Sequence, residues 1–107
     1  MLTVSTDQME APRAGALRAL WADHAAQAGL PASDAGPLGE RTVAWLMGLR
    51  IRDDRNLHFV MQASARSRGA FLDAPPVHEA LRLSGGQHDT VVGAIRRQTA
   101  ALVRGGG

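Results

Sequence analysis

The stretch Arg50-Ile51-Arg52-Asp53-Asp54-Arg55 separates two apolar runs with three arginines and two aspartates in six residues. Charge at that density is too costly to bury unpaired, so the chain must turn near the surface here. A corner between two helices accounts for it. Arg50 closes the preceding helix against its dipole, and Asp53 or Asp54 opens the next as its cap. Arg52 and Arg55 are then left to pair with Asp53 or Asp54 across the corner. The competing reading of the same residues is a small polar site.

On both sides of the corner the pattern is helical. The chain of 107 residues suits one domain with one modest core. Its only aromatics are Trp21, Trp45, Phe59 and Phe71, so the core must be built mainly from Leu, Val, Ile, Met and Ala. Such alanine-rich usage favours helix over sheet. The expected fold is all-α, a compact orthogonal bundle of about five short helices over residues 1–104, followed by a disordered glycine tail, 105–107. The first helix runs from about Met9 to Ala28. Asp7 and Glu10 have capping-box spacing, Pro12 stands near the start, and Gly29 and Pro31 form the stop. Leu17, Leu20, Trp21, His24 and Ala28 share one stripe. Residues 30–37, rich in Ala, Ser, Asp, Gly and Pro, read as a mobile linker.

The second helix spans about Leu38 to Arg50 and is apolar nearly all round. The third carries Leu57, Val60, Met61 and Ser64 on its inner stripe and ends around Arg66, Arg68 and Gly69. Asp73 is the expected cap of the fourth helix, with Pro75 and Pro76 in its first turn and Gly85-Gly86 as its stop. Asp89 is the expected cap of the fifth, where Val92, Ile95, Thr99 and Leu102 follow near-heptad spacing.

The charges narrow the function classes. Every basic side chain besides histidine is arginine, and the net charge is only +2, too small for a strong nucleic-acid binder. Residues 1–49 carry −2 and residues 50–107 carry +4, so an anionic partner would meet the second half. The lack of cysteine excludes disulfides and thiolate chemistry. No signal peptide or membrane-spanning run is visible, which makes a soluble, cytoplasmic protein the default. Acids gather near helix starts and arginines near helix ends, which occupies most ionisable groups before any site is built. His24, His58, His78 and His88 fall on separate segments, and none has an i, i+4 partner. Nucleophile-elbow, phosphate-loop and dinucleotide motifs are absent. No enzyme activity, metal or cofactor is therefore expected.

A non-enzymatic protein-interaction or regulatory module is the preferred class. Trp45, Met47 and Leu49 on the second helix are the candidate contacts for a protein partner or a second copy, because Trp and Met are enriched at interfaces. The alternative is a small nucleic-acid-binding regulator using Arg66, Arg68, Arg96 and Arg97. The first turn of the fifth helix, Asp89-Thr90-Val91-Val92, is poorly suited to reading base edges.

Residues Glu40 to Asp54, ERTVAWLMGLRIRDD, resemble the C-terminal helical part of an uncharacterised high-GC bacterial family with a domain of unknown function. There a helix reads apolar-Leu-x-Gly/Asp-Leu-x-Val-Arg-Asp and turns into another helix. Leu46, Leu49, Ile51, Arg52 and Asp53 are the matching residues here. The preceding Ala/Ser/Asp/Gly linker is also similar. The resemblance covers a quarter to a half of the chain. It implies helical architecture and carries no activity.

Overall fold

The structure, a computed structural model, describes residues 6–105, with side chains described for residues 13–99. Among the described residues it is an all-α bundle of six helices: α1 (Thr6–Gln27), α2 (Ala32–Gly48), α3 (Asp54–Ser67), α4 (Ala70–Asp73), α5 (Pro75–Arg82) and α6 (His88–Gly105). Helix α3 is the hub and touches α1, α2, α4 and α6. Its buried residues explain this role, because Asn56, Leu57, Val60, Met61, Ser64 and Ala65 cover a broad face of the helix. Around them close Leu46, Ile51, Leu72 and Val92, all essentially sealed from solvent. No helix among the described residues is long and apolar enough to cross a membrane. The expected cap at Asp7 and Glu10, Pro12, Leu102 and the glycine tail lie outside the residues whose side chains are described.

Several boundaries differ from the sequence reading. The stretch 30–37 is mostly helix, since α2 starts at Ala32 after Pro31. The Pro31 carbonyl accepts the first two bonds, from the N–H groups of Asp34 and Ala35. Pro37 sits inside α2 and cannot bond back to Ser33, but Ser33 is exposed and water can serve its carbonyl. Helix α2 is not apolar-buried all round. Gly39, Thr42, Val43 and Leu46 face inward, while Ala44 and Gly48 are exposed.

The fourth expected helix is two. A single turn, α4, tucks Leu72 into the core before the chain reaches Pro75. Asp73 closes that turn instead of capping α5, and its carboxylate pairs with Arg41 of α2. The N-cap of α5 is Ala74, which makes no side-chain bond. Pro75 and Pro76 lack the N–H groups that a cap would satisfy. Asp89 lies within α6, one residue after its start, and its carboxylate serves the connection before α3 and Asn56 of α3.

Helix α1 closes on α2 through one tight contact. Trp21 is buried, lies against Gly39, and donates its indole N–H to the Ala35 carbonyl at 2.8 Å. Between α2 and α3 the buried hydroxyls of Thr42 and Ser64 bond each other at 2.8 Å, and Thr42 also donates to the Leu38 carbonyl. No buried polar side-chain atom among the described residues is left without a partner. The polar residues inside this core therefore specify contacts without the desolvation cost of an orphan group.

Candidate functional site

The corner at residues 50–55 is built from the backbone. The N–H of Ile51 reaches the Leu46 carbonyl at 3.0 Å, and that of Arg50 reaches Met47 at 3.1 Å. This paired 6→1 and 5→2 closure is the Schellman motif, and it places Arg50 at the left-handed position with φ 55°. Glycine usually takes that place, so arginine there holds some backbone strain. The motif's apolar contact is supplied by Ile51 and Leu46, both completely buried. Asp53 then caps α3, its Oδ1 accepting from the N–H groups of Arg55 at 2.9 Å and Asn56 at 3.3 Å.

The corner is fixed in space from α6. Asp89 Oδ2 accepts the N–H of Arg52 at 2.8 Å and that of Asp53 at 3.2 Å. Buried Asn56 donates to Asp89 Oδ1 at 2.7 Å and to the Asp89 carbonyl at 2.9 Å. Arg96 Nε completes the amide by donating to Asn56 Oδ1 at 3.2 Å. From α1, Arg13 donates to the Ile51 carbonyl. Partial burial pushes the Asp89 carboxyl up. The N–H of Arg52, the Asn56 amide, the N–H of Asp53 and the nearby charge of Arg13 outweigh this and hold it below its ordinary value. The expected pairing of Arg52 and Arg55 with Asp53 or Asp54 does not form. All four side chains are exposed, and the ion pairs among the described residues lie elsewhere, at Arg18–Glu40, Arg41–Asp73 and Arg82–Glu79.

The three residues proposed for partner contact part company. Trp45 turns toward Phe71 of α4, edge-on at a centroid distance of 6.1 Å, and Phe71 meets Phe59 of α3 edge-on at 5.5 Å. All three rings are half-buried. Leu49 instead faces the turn before α6, beside Gly86, Gln87 and His88. Met47 is half-buried against the core. Phe59 and Phe71 complete a face of which Trp45 alone is a candidate from sequence. Only the α3–α4 connection, set by Gly69 at φ 89°, brings Phe71 back to α3.

The four arginines considered for an anion do not converge. Arg96 is tied to Asn56, and Arg97 folds back over Gly93 at the same end of α3. Arg66 stands in the last turn of α3, about 15 Å further along at 1.5 Å per residue. Arg68 is the left-handed cap beyond it and lines a groove with Leu38 and Arg41.

One pair joined by the fold is invisible in the spacing. His24 of α1 and His58 of α3 bring ring nitrogens within 2.9 Å. Burial, and then the neighbouring His58, lower the pKa of His24, while Asp23 partly opposes them. A histidine whose pKa falls on folding contributes stability that is complete above its unfolded value of 6.5 and is lost as pH drops through the folded value. The melting temperature should therefore decline as pH is lowered from 7 toward 5, and His24→Ala should flatten that slope. An unchanged slope in the variant would show that His24 is not the titrating group.

Comparisons with protein-family models, with curated proteins and with solved structures find no match to this chain.

Proposed function

We propose that this domain is a non-enzymatic protein-interaction or regulatory module whose contact face is the ring cluster of Trp45, Phe59 and Phe71. The observation that carries the reading is that three of the chain's four aromatics gather, only partly buried and edge to face, from three helices. Burying all three completely would have been the usual use of such large apolar groups in a core short of them. Aromatic clusters at a surface are the usual anchors of protein interfaces. The face is backed by the buried core, to which α2, α3 and α4 each contribute. Such a face has little conformational entropy to lose on association.

A cytoplasmic setting and the likeness of residues 40–54 to the uncharacterised bacterial family are parts of the same proposal. Neither names a process or a partner. The alternative, a nucleic-acid-binding regulator, is weakened by the separation of Arg96 and Arg97 from Arg66 and Arg68 and by the structural use of Arg96.

The test pairs light scattering with capture from native extract, with and without nuclease. The expected result is either a concentration-dependent dimer or a captured protein that survives nuclease. Either should be lost in the double variant Trp45→Ser/Phe71→Ser, provided the helical signal of the variant is retained. A monomer that captures nothing, or an association that the double variant retains, would overturn the assignment of this face. Salt-sensitive DNA retardation at about 50 mM salt would favour the nucleic-acid reading instead.

A further inference from the structure

The contact between His24 and His58 links segments 34 residues apart, with Nε2 of one 2.9 Å from Nδ1 of the other. Their ring centroids lie 5.2 Å apart and the planes are inclined by 59°. His24 is half-buried at the α1–α3 seam and His58 is exposed. From this geometry we propose that His24 and His58 form a two-imidazole chelate for a divalent late first-row transition ion, which staples α1 to α3.

In the metal-free chain one ring N–H donates to the other ring's nitrogen at 2.9 Å, so the contact is a hydrogen bond and the donor ring takes its other tautomer to ligate. Metal–imidazole bonds are about 2.0–2.1 Å long, so two nitrogens on one ion stand about 3 Å apart, a separation this contact already approaches. The affinity order of divalent ions for nitrogen ligands places Cu²⁺ first, with Ni²⁺ below it. To bind, the rings turn until both lone pairs aim at the shared ion instead of at each other, and the exposed His58 ring has room to turn.

The surroundings set the strength of the site. Ligation needs the neutral imidazole, the main form of histidine above about pH 6.5. Gln27, Gln62 and Arg66 line the cleft beside His24. The glutamine amides are available to accompany water in the remaining positions, whereas the Arg66 guanidinium opposes a cation. No cluster of three or more potential ligands is formed among the described residues, so the ion is exchangeable and not a condition of folding. Since the chelate exists only when α1 is seated on α3, the ion binds the folded chain and raises its melting temperature by mass action.

The experiment titrates the full chain with Cu²⁺ and with Ni²⁺ at about pH 7.5, by calorimetry and by thermal melting. The panel is the wild type, His24→Ala, His58→Ala, Arg66→Ala and the remote control His78→Ala. One ion per chain is expected, bound roughly tenfold to a hundredfold tighter by the wild type than by either single variant of the pair, as two tethered ligands require. His78→Ala should behave as the wild type, Arg66→Ala should bind more tightly, and the metal-induced rise in melting temperature should vanish in both variants of the pair. Electron paramagnetic resonance of the Cu²⁺ complex of the wild type should show two imidazole nitrogens, a readout that needs no variant to fold. A single nitrogen, equal affinity in His58→Ala, or no saturable binding would overturn the proposal.

Discussion

Replacing Asp89 with alanine should destabilise the domain by about 2–4 kcal/mol, read as a shift in the urea midpoint at constant slope. The carboxylate accepts from the N–H groups of Arg52 and Asp53 and from the Asn56 amide. Bonds to a charged acceptor are worth about 1.5–3 kcal/mol each in favourable cases, and partial exposure reduces the sum here. Asn56 sets the lower bound. It is buried, with 3% of its surface exposed, and alanine at position 89 leaves its amide nitrogen only the backbone carbonyl of that residue as acceptor. Against a total stability of about 5–15 kcal/mol for a domain of this kind, the loss is large.

Two variants on the corner itself are the controls. Asp53→Ala should cost about 1 kcal/mol, the usual worth of an N-cap. Arg52→Ala should change stability by less than about 0.5 kcal/mol, because among the described residues its exposed side chain makes no bond and its backbone N–H is kept. If Arg52→Ala proved as damaging as Asp89→Ala, the corner would be held by its own charges and not by α6. Acid gives an independent check. The Asp89 pKa is lowered on folding, so its contribution is complete above the unfolded value of 3.8 and is lost as pH falls through the folded one. That loss begins as pH falls past 3.8, whereas the one from His24 begins at 6.5.

The corner shows what a sequence of this kind can reveal. Its existence and an aspartate N-cap are local facts readable from charge order, but only the structure chooses Asp53 over Asp54 as the cap. The partner that fixes it, Asp89, is 36 residues beyond Asp53 in the chain, and its local role as a helix cap is equally plausible on paper. The same applies to Asp73, which looks like the cap of α5 and is taken by Arg41 instead. Helix class was legible because alanine content and apolar spacing are properties of single segments. The start of α2 was not, because its first turn is held by Trp21 of another helix, whose indole bonds the Ala35 carbonyl. The aromatic face and the histidine pair are products of tertiary folding, and neither has a spacing that could have announced it. Trp45 could be singled out from its helix, but Phe59 and Phe71 join it only because α3 and α4 fold back beside α2.

Gly39→Val should cost about 3 kcal/mol, and Trp21 is the reason. A Cβ added at Gly39 would lie 2.5 Å from both Cδ1 and Nε1 of the Trp21 ring. That is far inside van der Waals contact, and the ring is not free to retreat. It is 95% removed from solvent, and its N–H is held by the Ala35 carbonyl one turn earlier on α2. Either the indole gives up that bond or α1 moves off α2, and the second motion would also disturb the His24–His58 contact. Glycine within a helix costs about 1 kcal/mol relative to alanine. In free solution the substitution would therefore strengthen α2, and the close approach to α1 reverses the sign. A double-mutant cycle separates the two effects, because Trp21→Ala opens the space that the new side chain needs. Each single variant should be destabilised, and the double variant should be less so than their sum by about 1–3 kcal/mol. Additive losses would mean that Gly39 is there for some reason other than the indole lying across it.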